Sequence, residues 1–193
     1  MKTSFLFLAP GFEEIEALTV VDVLRRAGMD IKTVSILSER NVTGAHGIEV
    51  MADLLLADAR VGADAEWLIM PGGMPGSTNL AQCALLCNMI RRHYQDGGKI
   101  AAICAAPAVV LAPLGVLDGR EATCYPGFES SCDKAVMRDD SPVVALDNLI
   151  TANGPATALK FALAIVANSM GEHSARDVGA GMLYYPADEK FYF

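Results

Sequence analysis

Short runs dominated by apolar residues alternate along this chain with longer stretches in which apolar positions recur every three or four residues. Residues 5–9, 31–37, 67–70 and 100–103 have the length and composition of strands covered on both faces. Val20, Val21, Val23, Leu24 and Ala27 form a helical face that Gly28 ends. Leu80, Cys83, Ala84, Cys87, Ile90 and Tyr94 predict one helix across 80–94, stopped by Gly97 and Gly98. Pro155 suits a first helical position, and Leu159, Ala162, Leu163, Val166 and Met170 continue that helix to Gly171. The pattern is less regular over 46–58 and 123–149, where short, partly antiparallel strands with a loop or small helix are expected. Strands alternating with helices predict an α/β fold with a mostly parallel central sheet. With no linker, low-complexity run or repeat, a single domain over 1–193 is the simplest organisation.

Charge narrows the function. The 193 residues carry 15 Lys and Arg against 23 Asp and Glu, a net charge of −8, so a nucleic-acid partner is not expected. Hydrophobic residues at 52% exclude intrinsic disorder. Five cysteines are too few and odd in number for a disulfide framework, which predicts reduced thiols and a cytoplasmic setting. The opening apolar run is short and followed by glutamates, unlike a signal peptide. Residues 100–117 are eighteen uncharged positions, but Pro107, Pro113, Gly115 and many alanines predict a buried strand, a sharp turn and a helix rather than a membrane span.

Three segments carry candidate chemistry. In 100–107, an apolar strand runs into Cys104 and then Ala105, Ala106 and Pro107. A strand that turns at once into a helix presents its nucleophile above the sheet edge, and the cramped turn requires small neighbours. At a helix N-terminus the thiolate of Cys104 is favoured, and the Ala105 N–H is a candidate oxyanion donor. Gly72 and Gly73 end the strand at 67–70 and let backbone approach a ligand. In 11–16, Glu13 and Glu14 read as a solvated helix start, whereas Glu16 lies close to the core-facing stripe, where poor solvation raises a carboxyl pKa.

The other reactive residues read more plainly. His93 reads as a solvated surface residue and His173 as a cap or surface group, while His46, in a glycine-flanked turn, is a candidate pocket residue. Cys83 and Cys87 lie four apart on the predicted helix and read as core packing, because no second Cys/His pair completes a metal site. Cys124 and Cys132 lie in the loop after Thr123, and Cys124 is a candidate secondary oxidation target.

The acidic start at Glu13, Glu14 and Glu16, the Met70-Pro71-Gly72-Gly73 closure, the Ala102-Ile103-Cys104-Ala105-Ala106-Pro107 elbow and the stretch 151–157 resemble the ThiJ/PfpI superfamily, in particular its Parkinson-disease-associated deglycase-like branch. The resemblance covers the whole chain and implies a flavodoxin-like three-layer sandwich, a homodimer, and no cofactor or metal. It further implies Cys104 as reactive thiol, Glu16 as its protonated hydrogen-bond partner, and Gly73 and Ala105 as oxyanion donors. Gly72, Arg26, His46, Tyr125 and Asn153 are the implied substrate-binding candidates. Ala105 stands where protease-like members carry histidine, and Tyr125 where deglycase-like members often do.

The expected function is cysteine-dependent detoxification of reactive carbonyls, of glyoxalase III or deglycase type. Its substrate is a small aldehyde such as methylglyoxal, turned into lactate, or an early glycation adduct on an amine or thiol. The alternative is an oxidative-stress sensor or chaperone-like protein acting through oxidation of Cys104, and the third reading is an amidotransferase- or peptidase-like hydrolase.

Overall fold

Side chains on a strand point alternately to opposite faces, and here that alternation divides the core between two faces of one sheet. A computed structural model describes residues 2–58 and 64–184, so Met1, 59–63 and 185–193 of the single domain expected over 1–193 lie outside the described residues. In chain order the elements are β1 (Ser4–Leu8), α1 (Glu14–Arg26), β2 (Ile31–Ser35), β3 (Asn41–Thr43), β4 (Glu49–Met51), β5 (Leu54–Leu55), β6 (Trp67–Met70), α2 (Gly76–Gln82), α3 (Ala84–Gln95), β7 (Lys99–Ile103), β8 (Glu121–Ala122), β9 (Val136–Met137), β10 (Val143–Ala145), β11 (Leu149–Ala152), α4 (Ala158–Met170) and α5 (Glu172–Gly181).

Seven strands form the central sheet in the order β10-β11-β7-β6-β1-β2-β5. Only β10 runs antiparallel, against β11. Leu6, Leu8, Trp67, Ile69, Ala101 and Ile103 belong to one apolar cluster, with the inner stripes of α1 and α4. Their neighbours Phe5, Phe7, Leu68, Met70, Ile100 and Ala102 belong to the other, with Leu80 of α2 and Leu86 and Ile90 of α3. The three-layer, flavodoxin-like arrangement follows. The outlying pairs are the antiparallel β3–β4 hairpin and the two-residue parallel pair β8–β9.

Two expectations about helices need correcting. The single helix expected over 80–94 is two, because Cys83 adopts an extended ψ of 94° between α2 and α3. Its thiol therefore does not share a helix with Cys87, whose sulfur faces the Ala81 carbonyl at 3.3 Å. The polypeptide after Cys104 does not enter a long helix either. It makes one π-helical turn, Pro107–Leu111, and one 3-10 turn, Ala112–Leu114, before Gly115 at φ 74° ends it. Pro113 removes a donor that a continuing helix would use.

Among the described residues no helix is long and apolar enough to cross a membrane. Trp67, the only tryptophan, is fully buried, and its indole N–H donates to Ser169 Oγ at 2.8 Å, tying β6 to the end of α4. Ser169→Ala leaves that buried donor unpaired, so denaturant unfolding followed by tryptophan emission is expected to show a loss of about 1–3 kcal/mol with an unchanged m-value.

Candidate active site

The order of the sheet decides which loops meet. From β1 the chain moves to β2 on one side, while β6, β7 and β11 build outward on the other. The segments leaving the carboxyl ends of β1, β6, β7 and β11 therefore converge at one edge, around the reversal where open α/β sheets bind ligands. The loops after β1 and β6 interlock through backbone: Glu13 N–H donates to the Gly72 carbonyl at 3.0 Å and Gly76 N–H to the Gly11 carbonyl at 3.1 Å. Gly73, at φ 87°, has no room for a Cβ, which would lie 2.5 Å from the Glu13 nitrogen.

Cys104 begins where β7 ends. Extended backbone would send its side chain to the opposite face from Ile103, but φ of 64° turns it back into the same cluster. A non-glycine residue in the left-handed region is costly, and surrounding contacts hold it there. The Cys104 N–H donates to Ala152 O and its carbonyl accepts from Tyr125 N–H, both at 2.8 Å. The sulfur-bearing residue keeps 8% exposure.

Glu16 reaches the sulfur from α1. It lies on the apolar stripe with Val20 and Val23 and is wholly buried. Its Oε2 accepts from Gly72 N–H at 2.7 Å, while Oε1 has no well-directed donor and the Cys104 thiol is the neighbouring side-chain partner. Burial, partly offset by the bonds from Gly72 and Cys104, pushes the Glu16 pKa up to about 7. A Cβ on Gly72 would sit 2.6 Å from Cys104 Cβ and 2.7 Å from Glu16 Oε2, so only glycine lets the three segments meet.

The thiol itself departs from expectation. Burial, then the negative charge and hydrogen bonding of Glu16, push Cys104 up to about 12, opposed by the N–H groups of Gly73 and Ala105. The thiolate expected from the helix N-terminus is therefore opposed here by burial and by the Glu16 charge. Cys104 and Glu16 instead compete for one proton, and an anionic sulfur requires the carboxyl to hold it. The Gly73 and Ala105 N–H groups both bond towards the sulfur.

The remaining candidates separate. Tyr125, 44% exposed, stands on the rim with its ring beside Gly154 and edge-on to Phe128 at 6.4 Å. Asn153 is half-buried after β11, its N–H bonded to Pro142 O at 3.1 Å. Arg26 is not brought to the site within this chain: it pairs with Asp22 at 2.7 Å, ten residues or about 15 Å along α1 from Glu16. His46 docks at the start of α1, its backbone N–H 2.8 Å from Glu14 Oε1 and Nδ1 2.9 Å from Glu14 Oε2.

Glu14 is thus not the solvated residue expected. It is 5% exposed; burial pushes its pKa up, but the bonds from the His46 ring and backbone outweigh this and hold it below the ordinary value. His46 is correspondingly pushed up by its bond to Glu14. His93 is also not a free surface residue: its Nε2 meets Lys99 O at 3.1 Å, at the far end of β7 from Cys104, and burial lowers its pKa. His173 is exposed and pairs with Asp177 at 3.4 Å. Sequence reasoning missed Gly11 and Gly76, whose lack of a Cβ permits the backbone interlock; glycines flanking Phe12 and Pro75 were the available signal.

The class this geometry defines is an α/β protein whose strained cysteine elbow faces a buried carboxyl at the carboxyl edge of a parallel sheet. Residues 2–168 match the DJ-1/PfpI family, and the chain belongs to that family. It is 35% identical to Protein DJ-1 homolog A of Arabidopsis thaliana over all of its own length, and spans 49% of that relative. It is 34% identical to a glutathione-independent glyoxalase of Caenorhabditis elegans, covering 86% of this chain and 87% of the relative. The crystal structure of a cysteine-to-alanine mutant of a DJ-1 superfamily protein from Salmonella typhimurium superimposes with a TM-score of 0.91 at 34% identity, covering 96% of this chain and 100% of that one.

Two outcomes follow. Gly72→Ala forces a clash among backbone, Cys104 and Glu16, and is expected to lower stability by about 2 kcal/mol or more in chemical denaturation. Because the folded pKa of Glu16 lies above its ordinary 4.5, its stabilising contribution is complete below pH 4.5 and lost as pH rises through about 7. Glu16→Gln, neutral throughout, is expected to match wild type near pH 4 and exceed it by about 3 kcal/mol above pH 7, measured as paired urea unfolding curves.

Proposed function

We propose that this protein is a cofactor-independent enzyme that converts small reactive 2-oxoaldehydes to hydroxy acids through Cys104, methylglyoxal giving lactate. The observation that carries the reading is the convergence of the Gly73 and Ala105 N–H groups and the Glu16 carboxyl on one sulfur. The similarity to a glutathione-independent glyoxalase supports the same reaction class.

The sulfur, sharing its proton with Glu16, adds to the aldehyde carbon to form a hemithioacetal, and the two N–H groups hold the developing oxyanion. Glu16 delivers its proton to that oxygen. As carboxylate it then removes the proton from the former aldehyde carbon and returns it to the neighbouring carbon, leaving a thioester of the hydroxy acid. Water cleaves the thioester and restores the thiol, so the net change is addition of one water. Early glycation adducts on amines or thiols, which present the same carbonyl group, are a second substrate class. Tyr125 and Asn153 line the mouth where such a substrate enters, and His46 is its basic neighbour. A homodimer and a cytoplasmic setting belong to this proposal too.

A second reading rests on the undonated Glu16 Oε1. A protonated carboxyl there suits hydrogen bonding to an oxidised Cys104, as in an oxidative-stress sensor. A hydrolase reading has less support, because His46 is engaged with Glu14, and His93 and His173 bond away from the elbow.

Purified protein incubated with methylglyoxal in amine-free buffer is expected to form lactate, with Cys104→Ala reduced to background and Glu16→Gln slowed about 10²–10⁴-fold in kcat. Wild-type turnover retained by Cys104→Ala contradicts the proposal. No lactate from wild type, with two oxygens gained at Cys104 under mild peroxide, favours the sensor.

A further inference from the structure

Between β8 and β9 the chain carries two thiols that the mechanism leaves unused. Cys124 and Cys132 are 4% and 3% exposed, and both belong to the apolar cluster containing Ala106, Val110 and Leu111. The intervening residues fold back on themselves through three consecutive bonds: Phe128 N–H to Tyr125 O at 3.1 Å, Ser131 N–H to Phe128 O at 3.0 Å and Cys132 N–H to Glu129 O at 2.8 Å. These turns return the chain so that the two thiols become side-chain neighbours, with Cys124 Sγ directed to the Tyr125 carbonyl at 3.6 Å and neither sulfur bridged. The ends are anchored as well, by Thr123 N–H on Thr151 Oγ1 at 2.9 Å and Val136 N–H on Arg120 O at 2.8 Å. Folding has thus already met the entropic cost of bringing the two sulfurs together.

We propose that Cys124 and Cys132 form a reversible dithiol–disulfide centre, separate from Cys104 and oxidised by small neutral hydroperoxides. Its environment selects the oxidant. Nearly complete burial admits only small molecules, and the carboxylates of Glu129, Asp133 and Asp139, which face the pair, repel anionic disulfides such as oxidised glutathione. The two thiols titrate as one unit and are equally buried, so either sulfur can open the reaction.

One of the two sulfurs attacks a peroxide oxygen; an S–O bond forms, the O–O bond breaks, and the departing oxygen takes up the thiol proton and leaves as water or alcohol. The other thiol then attacks the sulfenic sulfur, giving up its proton as the S–O bond breaks and water departs. Two electrons pass from the two thiols to the peroxide, and an external dithiol restores the pair by exchange. Tyr125, next to Cys124 and bonded to the Cys104 carbonyl, places this centre one residue from the elbow's support.

The test uses Cys104→Ala, so that oxidation at the elbow is absent, and does not depend on carbonyl turnover. One equivalent of hydrogen peroxide is expected to lower the intact mass by about 2 Da, yield a cross-linked peptide joining Cys124 to Cys132, and leave Cys83 and Cys87 alkylatable. Dithiothreitol is expected to reverse the change, and Cys132→Ser in the same background to abolish the cross-link. Wild type mapped in parallel gives the same cross-link even if a variant folds poorly. Four thiols still alkylatable after peroxide, oxygen added without a cross-link, or bridges to Cys83, Cys87 or another chain would each overturn the proposal.

Discussion

A carboxyl group shut inside the protein against a thiol is the constraint on which the site rests. Glu16 Oε2 has one strong donor, the Gly72 N–H at 2.7 Å, and otherwise faces apolar side chains and Cys104. In so little water the ionised form is penalised, so the proton stays near neutral pH. That retained proton is what the sulfur lacks when it becomes an anion. The carboxyl and the thiol are two halves of one titrating unit, and neither has its properties alone.

The rest of the architecture holds that unit together. Four strand ends deliver the segments, glycines at 11, 72, 73 and 76 let backbones touch, and the φ of 64° at Cys104 aims the sulfur back towards α1. Strain at the elbow is balanced by bonds from Cys104 backbone to Ala152 and Tyr125, so the loop after Thr123 is part of the support rather than a free lid. Membership of the DJ-1/PfpI family fits this arrangement. The N–H groups of Gly73 and Ala105 oppose, without cancelling, the cost that burial places on a charge at this sulfur.

Much of this was legible in the chain itself. Alternating apolar runs located β1, β2, β6 and β7, and the small residues around Cys104 marked the elbow, because local sterics alone demand them. Glu16 was legible as a polar residue close to an apolar helical stripe. What escaped depended on contacts distant in sequence. Glu14 looked solvated until His46, thirty-two positions on, folded over it. The break at Cys83 carries no proline or glycine, and its helical spacing hid a turn that tertiary packing imposes. Within this chain Arg26 pairs with Asp22, ten residues along α1 from Glu16, and the thiolate expected at a helix N-terminus is opposed by burial and by the Glu16 charge, neither of which local spacing reveals.

The claim that a buried, proton-retaining carboxyl faces the sulfur is tested most directly by following the Glu16 side-chain carbon by NMR as pH is varied in Cys104→Ser, where no thiol competes. A midpoint near 7 or above is the result this account requires, since burial rather than the sulfur dominates the shift. A midpoint near the ordinary 4.5 would mean that water reaches the carboxyl, and the account would be wrong.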